Sequence, residues 1–143
     1  IIYYYANLKN YLVLGTSDKS EYLIGYFTKF GDGSADILPI AELYKTQLRE
    51  FAKFIGVPNN IITKRSSPNL WKGHYAEEEI GIEYEKIDTI LYCMLEQQYT
   101  LNKFLDEITG ISKKDVEKIY QMYQNTQHKR ILPERVGIIH GDF

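Results

Sequence analysis

Tyr11 to Gly15, "YLVLG", constrains this chain more than any other stretch, because it runs without a break into "TSDKSE". A short, continuous apolar run closed by glycine suits a strand buried on both faces, as in a parallel sheet. Asp18 and Glu21 are then spaced as a helix N-cap and its N3 partner, which predicts a helix over about Lys19 to Gly25. Upstream, "IIYYYANLKN" reads as the end of a helix feeding the strand. Strand, turn and helix start in succession predict an α/β fold with a parallel sheet.

The remaining pattern is helical. A second helix is predicted from about Ala41 to Ile55, with Leu43, Leu48, Phe51 and Ile55 on one face and with Gly56 and Pro58 stopping it. Thr63 to Gly81 has no periodicity and reads as a long loop. Tyr84, Ile87, Leu91, Met94 and Leu95 then recur at helical spacing, as do Leu101, Phe104, Leu105 and Ile108 before Gly110. Ser112 and Asp115 form a capping box, with Ile111 and Val116 placed as a hydrophobic staple, and Ile119, Tyr120 and Tyr123 continue that face. Residues 1–143 are read as one portion of a single domain.

The end of a strand followed by a helix N-terminus is where α/β proteins bind ligands, phosphates above all. Thr16, Ser17, Asp18 and Glu21 occupy that place, and "TKFGDGSAD" adds Lys29, Asp32 and Asp36 in a glycine-rich loop. The residues alone leave two readings. Glu21 is either half of a capping box or a magnesium ligand, and the loop is either a solvated turn or a substrate wall. His128 and Lys129 equally suit a helix C-terminus, where cations meet the dipole. The net charge of −2 excludes a general nucleic-acid binder, which is clearly basic. "LDEITGISKKDVEKIY" has the outline of a helix-turn-helix, but its lysines alternate with four carboxylates and it holds no arginine. A single cysteine, Cys93, forms no internal disulfide, which predicts a reducing, cytoplasmic setting; on its apolar helix it reads as core.

Taken together, "LVLGTSDKSE", "GYFTKFGDGSADILPI", "LYKTQLRE", "IGVPNNIITKRSSPNLW" and "HKR", in this order and at these separations, resemble the C-terminal part of an ammonia-dependent NAD synthetase. The resemblance runs from Ala6 to about Pro133. It implies an ATP pyrophosphatase with an adenine-nucleotide-hydrolase-like fold, here a partial Rossmann-like parallel sheet with a helical C-terminal part. It implies ATP-dependent amidation of nicotinic acid adenine dinucleotide by ammonia through an acyl-adenylate, with Mg2+, in a homodimer. The 13 tyrosines suit such an interface.

Carried over by position, Thr16, Lys45 and Ser67 would contact ATP, and Glu21 would hold Mg2+. Lys29, Asp36, His128 and Lys129 would contact the dinucleotide, with Asp32 in the same loop. The family often has Gly-Asn at Ser17-Asp18 and a glycine at Ser34. Its Ser-Gly-Gly-x-Asp-Ser phosphate loop has no counterpart here, so this chain is expected to be a piece of a longer protein, inactive by itself. A non-catalytic piece of the same fold is the rival expectation. The closing "IIHGDF" is similar to the His-Gly-Asp loop of aminoglycoside-type kinases, but the asparagine that loop needs is absent.

Overall fold

In the computed structural model, residues 1–133 are described; the "IIHGDF" segment lies outside the described residues. The elements run α1 (Ile2–Lys9), α2 (Lys19–Ile24), α3 (Lys45–Phe54), α4 (Asn59–Ile62), α5 (Ala76–Ile80), α6 (Tyr84–Leu91), α7 (Leu101–Glu107), α8 (Lys113–Asn125) and α9 (Gln127–Arg130). A π-helical turn, Tyr92–Glu96, continues α6. Among the described residues no helix is long and apolar enough to cross a membrane.

The parallel sheet is the main correction to the sequence reading. Among the described residues it is reduced to one isolated parallel bridge, Leu14 to Ile37. Gly15 N–H donates to the Ile37 carbonyl at 2.8 Å, and Asp36 N–H donates to the Val13 carbonyl at 2.9 Å. Val13 is 6% exposed, whereas Leu12 and Leu14 are 65% and 63% exposed. The run is therefore buried on one face only. Among the described residues no second strand lies along it, and no layer covers Leu12 and Leu14. Gly15 is needed here, since a Cβ would stand 2.5 Å from the Leu38 side chain and 2.8 Å from that of Ala35.

The core is helical. Ile24 of α2, Tyr84, Ile87, Ile90 and Leu91 of α6, Phe104 of α7, and Val116 and Ile119 of α8 are its most deeply buried side chains. α2 packs on α6 and α8, and α3 packs on α6. Cys93 is buried there, as expected, and burial pushes its thiol pKa up.

Helix ends follow local chemistry where the sequence carries it. Asp18 accepts the Glu21 N–H at 3.0 Å, and Gly25 closes α2 at φ 69°. Ser112 and Asp115 cap α8 reciprocally. Elsewhere tertiary contacts override pattern. α3 starts at Lys45 rather than near Ala41 and buries none of its residues; Phe51 and Ile55 are exposed. The predicted loop 63–81 contains α5, whose Ala76 and Ile80 are buried. Tyr120 is exposed rather than core.

Candidate functional site

Two helix N-termini meet beside the strand end. At the first, Asp18 caps α2 with one oxygen and meets Lys45 Nζ with the other. At the second, α3 is held by side chains from outside itself. Lys45 N–H donates to Ser20 Oγ at 2.8 Å, and Thr46 N–H donates to Asp88 Oδ2 at 2.9 Å. Ser20 Oγ–H donates to Asp88 Oδ1, closing a buried triangle between α2, α3 and α6. These bonds satisfy amides that a helix start leaves orphaned, and they fix where Lys45 emerges.

The Glu21 carboxylate is not turned back to cap its own helix. Its Oε1 accepts from Lys45 Nζ at 2.8 Å and from Tyr84 Oη at 3.5 Å. Lys45 also lies over the Tyr84 ring, 5.1 Å from its centroid. Two carboxylates thus share one ammonium, leaving one negative charge in a half-buried place. Burial raises the Glu21 pKa above the ordinary carboxylate value; Asp18 adds to this and Lys45 offsets it in part. For Lys45, burial pulls the pKa down, but Asp18 and Glu21 outweigh it and the result is raised. Among the described residues no three His, Cys, Asp or Glu side chains are grouped to hold a metal. The surplus charge at Glu21 nonetheless fits a cation that brings most of its oxygen ligands with it, as Mg2+ does with water and phosphate.

A cleft of about 470 Å³ opens above this pair. Thr16, Glu21, Lys45 and Ser67 line it, so the structure brings together the four residues assigned to ATP and metal. Three more cations, Arg49, Lys64 and Arg65, share its wall. Sequence reading missed them, although Arg49 lies one helical turn after Lys45, on the same face. Arg65 meets Glu78 at 2.6 Å and stacks over Tyr75, 3.7 Å from its centroid. Ser67 Oγ–H donates to the His74 carbonyl, and Ser67 Oγ accepts the Asn69 N–H at 3.0 Å.

A second cleft of about 800 Å³ lies on the other side of the strand end. Lys29, Lys129, Arg130 and the Phe30 ring line it, and Thr16 and Asp32 line both clefts. The loop and the C-terminal tail are cross-braced. Lys29 Nζ donates to the His128 carbonyl, and Lys129 Nζ donates to the carbonyls of Gly25 and Phe27, each at 2.7 Å. Arg130, which the sequence reading passed over, donates to the Leu23 carbonyl at 2.6 Å.

Two assigned residues are placed differently. Asp36 accepts the Val13 N–H at 2.7 Å and the Tyr3 hydroxyl at 3.2 Å, so it ties the strand to α1. The His128 ring lines neither cleft; its Nδ1 lies 3.2 Å from the Asn125 carbonyl.

The NAD synthase family model matches residues 1–133. The NH3-dependent NAD+ synthetase of Staphylothermus marinus is 53% identical over 133 residues, 93% of this chain and 48% of that protein. The same enzyme of Saccharolobus solfataricus is 49% identical, over 94% of this chain and 48% of that protein. The chain thus spans about half the length of the curated relatives it matches. Among solved structures, the NMN synthetase of Francisella tularensis superposes with a TM-score of 0.76 at 39% identity, over 95% of this chain and 51% of that one. The NH3-dependent NAD synthetase of Campylobacter jejuni gives 0.71 at 29%, over 94% and 49%. With its two clefts meeting at one strand end and the match running the length of the described residues, the chain belongs to the NAD synthase family.

Proposed function

We propose that this chain supplies half of the active site of an ammonia-dependent NAD synthetase. The observation that carries this reading is the Glu21–Lys45 pair at the floor of a cationic cleft that meets a second cleft at Thr16 and Asp32. The first cleft suits the polyphosphate of ATP, with Lys45, Arg49, Lys64 and Arg65 supplying charge and Ser67 and Thr16 supplying hydroxyls. Glu21 would hold Mg2+, whose chemistry there would be to neutralise phosphate charge, and Lys45 would offer its ammonium to the same phosphates. The second cleft suits nicotinic acid adenine dinucleotide, its phosphates drawn to Lys29 and Lys129.

At the junction a nicotinate carboxylate oxygen attacks the α-phosphorus of ATP, and pyrophosphate leaves. Ammonia then attacks the acyl carbon, the acyl–oxygen bond breaks, AMP leaves with the electron pair, and the amine loses a proton. The protein's contribution is placement and charge. The fold is that of the adenine-nucleotide-hydrolase-like enzymes, with the phosphate loop on the half of the relatives that this chain does not span. The exposed tyrosines of α1 would serve that half or a homodimer contact, in a reducing cytoplasm.

The test joins this chain behind the unmatched half of the Staphylothermus marinus relative. NAD and AMP should form in equal amounts, only with ATP, Mg2+ and ammonia, and Glu21→Gln should lower turnover by orders of magnitude with little change in melting temperature. Normal turnover in that variant would remove the metal role. The mononucleotide acid is the competing substrate, given the 39% identical NMN synthetase. Preference for it would redirect the assignment to the smaller acid.

A further inference from the structure

Between the cationic cleft and α5 lies a polar group that the proposed reaction does not use. The His74 side chain is 3% exposed, and its ring stacks on Trp71 with centroids 3.5 Å apart and planes 8° from parallel. Its Nε2 lies 2.7 Å from Glu79 Oε2. Glu79 also accepts from Tyr26 Oη, and the Tyr26 bond first and His74 second hold its pKa below the ordinary carboxylate value. An ionised Glu79 has no proton to give, so Nε2 carries the hydrogen in this contact. The His74 Nδ1 is buried with no partner among the described residues. A buried polar atom without a partner costs stability, so the ring is held in this place by what its other side does.

What it holds is the segment that walls the ATP cleft. The His74 carbonyl accepts the Ser67 hydroxyl, and two residues on, Ala76 N–H donates to the Ser66 carbonyl at 3.0 Å. Ser67 and Ser66 both line the cleft. We propose that His74 is the positioning residue of this cleft: its ring, anchored on Glu79 and Trp71, fixes the backbone carbonyl that sets the direction of the Ser67 hydroxyl. The part that concerns ATP rests on the reading of the cleft given above. In the present arrangement Ser67 spends its only hydrogen on His74, so it meets a phosphate oxygen as a donor only after that carbonyl is released. His74 therefore sets how readily the cleft accepts a polyphosphate.

Trp71 is the chain's single tryptophan, so its emission reports on this stack alone. The measurement is Trp71 emission and amide hydrogen exchange at Asn69 and Ala76 in the 143-residue chain, without ligand, in three variants. His74→Gln keeps a donor at the Nε2 position, His74→Asn places one too short to reach Glu79, and His74→Leu has none. Exchange at Asn69 and Ala76 should quicken at least about tenfold in His74→Asn and His74→Leu, with core amides of α6 unchanged, and His74→Gln should recover most of the protection. Wild-type exchange and emission in His74→Leu would overturn the proposal. So would loss in His74→Gln equal to that in His74→Asn, which also decides the matter if His74→Leu does not fold. A second measurement, the dissociation constants for ATP, pyrophosphate and AMP, separates the two readings. If Ser67→Ala leaves ATP and pyrophosphate affinity unchanged while the exchange pattern holds, the cleft assignment fails and the positioning role stands.

Discussion

Glu21 shows how one side chain carries two kinds of information. Its spacing from Asp18 was readable as half of a capping box, and Asp18 does cap α2, but the carboxylate itself faces Lys45. Nothing in the local sequence specifies that turn; it follows from α3 delivering Lys45 across 24 residues. The raised Glu21 pKa has a consequence for stability. The folded state holds this proton more tightly than the unfolded chain. Between the ordinary carboxylate value and the raised one the folded state binds more protons, so this group's contribution falls as pH rises through that window. Urea unfolding of the wild type and of Glu21→Gln from about pH 4 to about pH 8 should show a steeper fall in stability in the wild type than in the variant. A parallel pair of curves would mean that Glu21 titrates as it does in the unfolded chain.

At the scale of elements, the junctions decide the site. The N-terminus of α3 is held by Ser20 and Asp88, from α2 and α6, and so Lys45 is placed by residues far from it in the chain. Burial raises the Asp88 pKa, and its bonds to Ser20 and Thr46 oppose this. Asp88→Ala would strand the Thr46 N–H and the Ser20 hydroxyl in the interior and should cost about 2–4 kcal/mol of stability, read from urea midpoints. The second junction joins α2 to α8. A Cβ at Gly25 would lie 2.2 Å from Thr126 Cβ, and φ there is +69°. Gly25→Ala should therefore lose about 2 kcal/mol or more, with Thr126→Gly in the same chain restoring part of it, because the clash is relieved and the backbone strain is not. Full stability in Gly25→Ala would mean that α8 shifts freely, and the Lys129 brace to Gly25 would shift with it.

At the scale of the whole molecule, the exposed apolar surface is the leading fact. Tyr4, Tyr5, Leu8, Tyr11, Leu12 and Leu14 are all exposed on α1 and the strand that follows. Exposed apolar side chains gathered along one stretch of chain suit a contact face. The chain alone should bind the dye ANS strongly and make no NAD. Mixed with the separately expressed unmatched half of the Staphylothermus marinus relative, it should lose most of that dye binding and elute as a complex. Unchanged dye binding and separate elution would show that this face serves something else. The parallel-sheet expectation is met only in part at this scale, for a physical reason. A parallel strand needs partners supplied by other parts of the chain, and within the described residues "YLVLG" finds only the 36–37 segment.

What the sequence determined by itself was local or compositional. The caps at Asp18 and Ser112 and the apolar stripe Tyr84, Ile87, Leu91 rest on spacings of three and four residues, which helix geometry converts directly into contacts. The motif set from "LVLGTSDKSE" to "HKR" was enough to name the family, because each piece is contiguous. Only the tertiary structure decided which charges meet. It paired Lys45 with Glu21, spent Asp36 on Val13 and Tyr3, braced Lys29 and Lys129 on main-chain carbonyls, and buried His74 against Glu79 and Trp71. Charged side chains carry no periodic signal of their partners. An ion pair forms where packing of the apolar faces happens to bring two helices together, and that packing is a property of the whole chain.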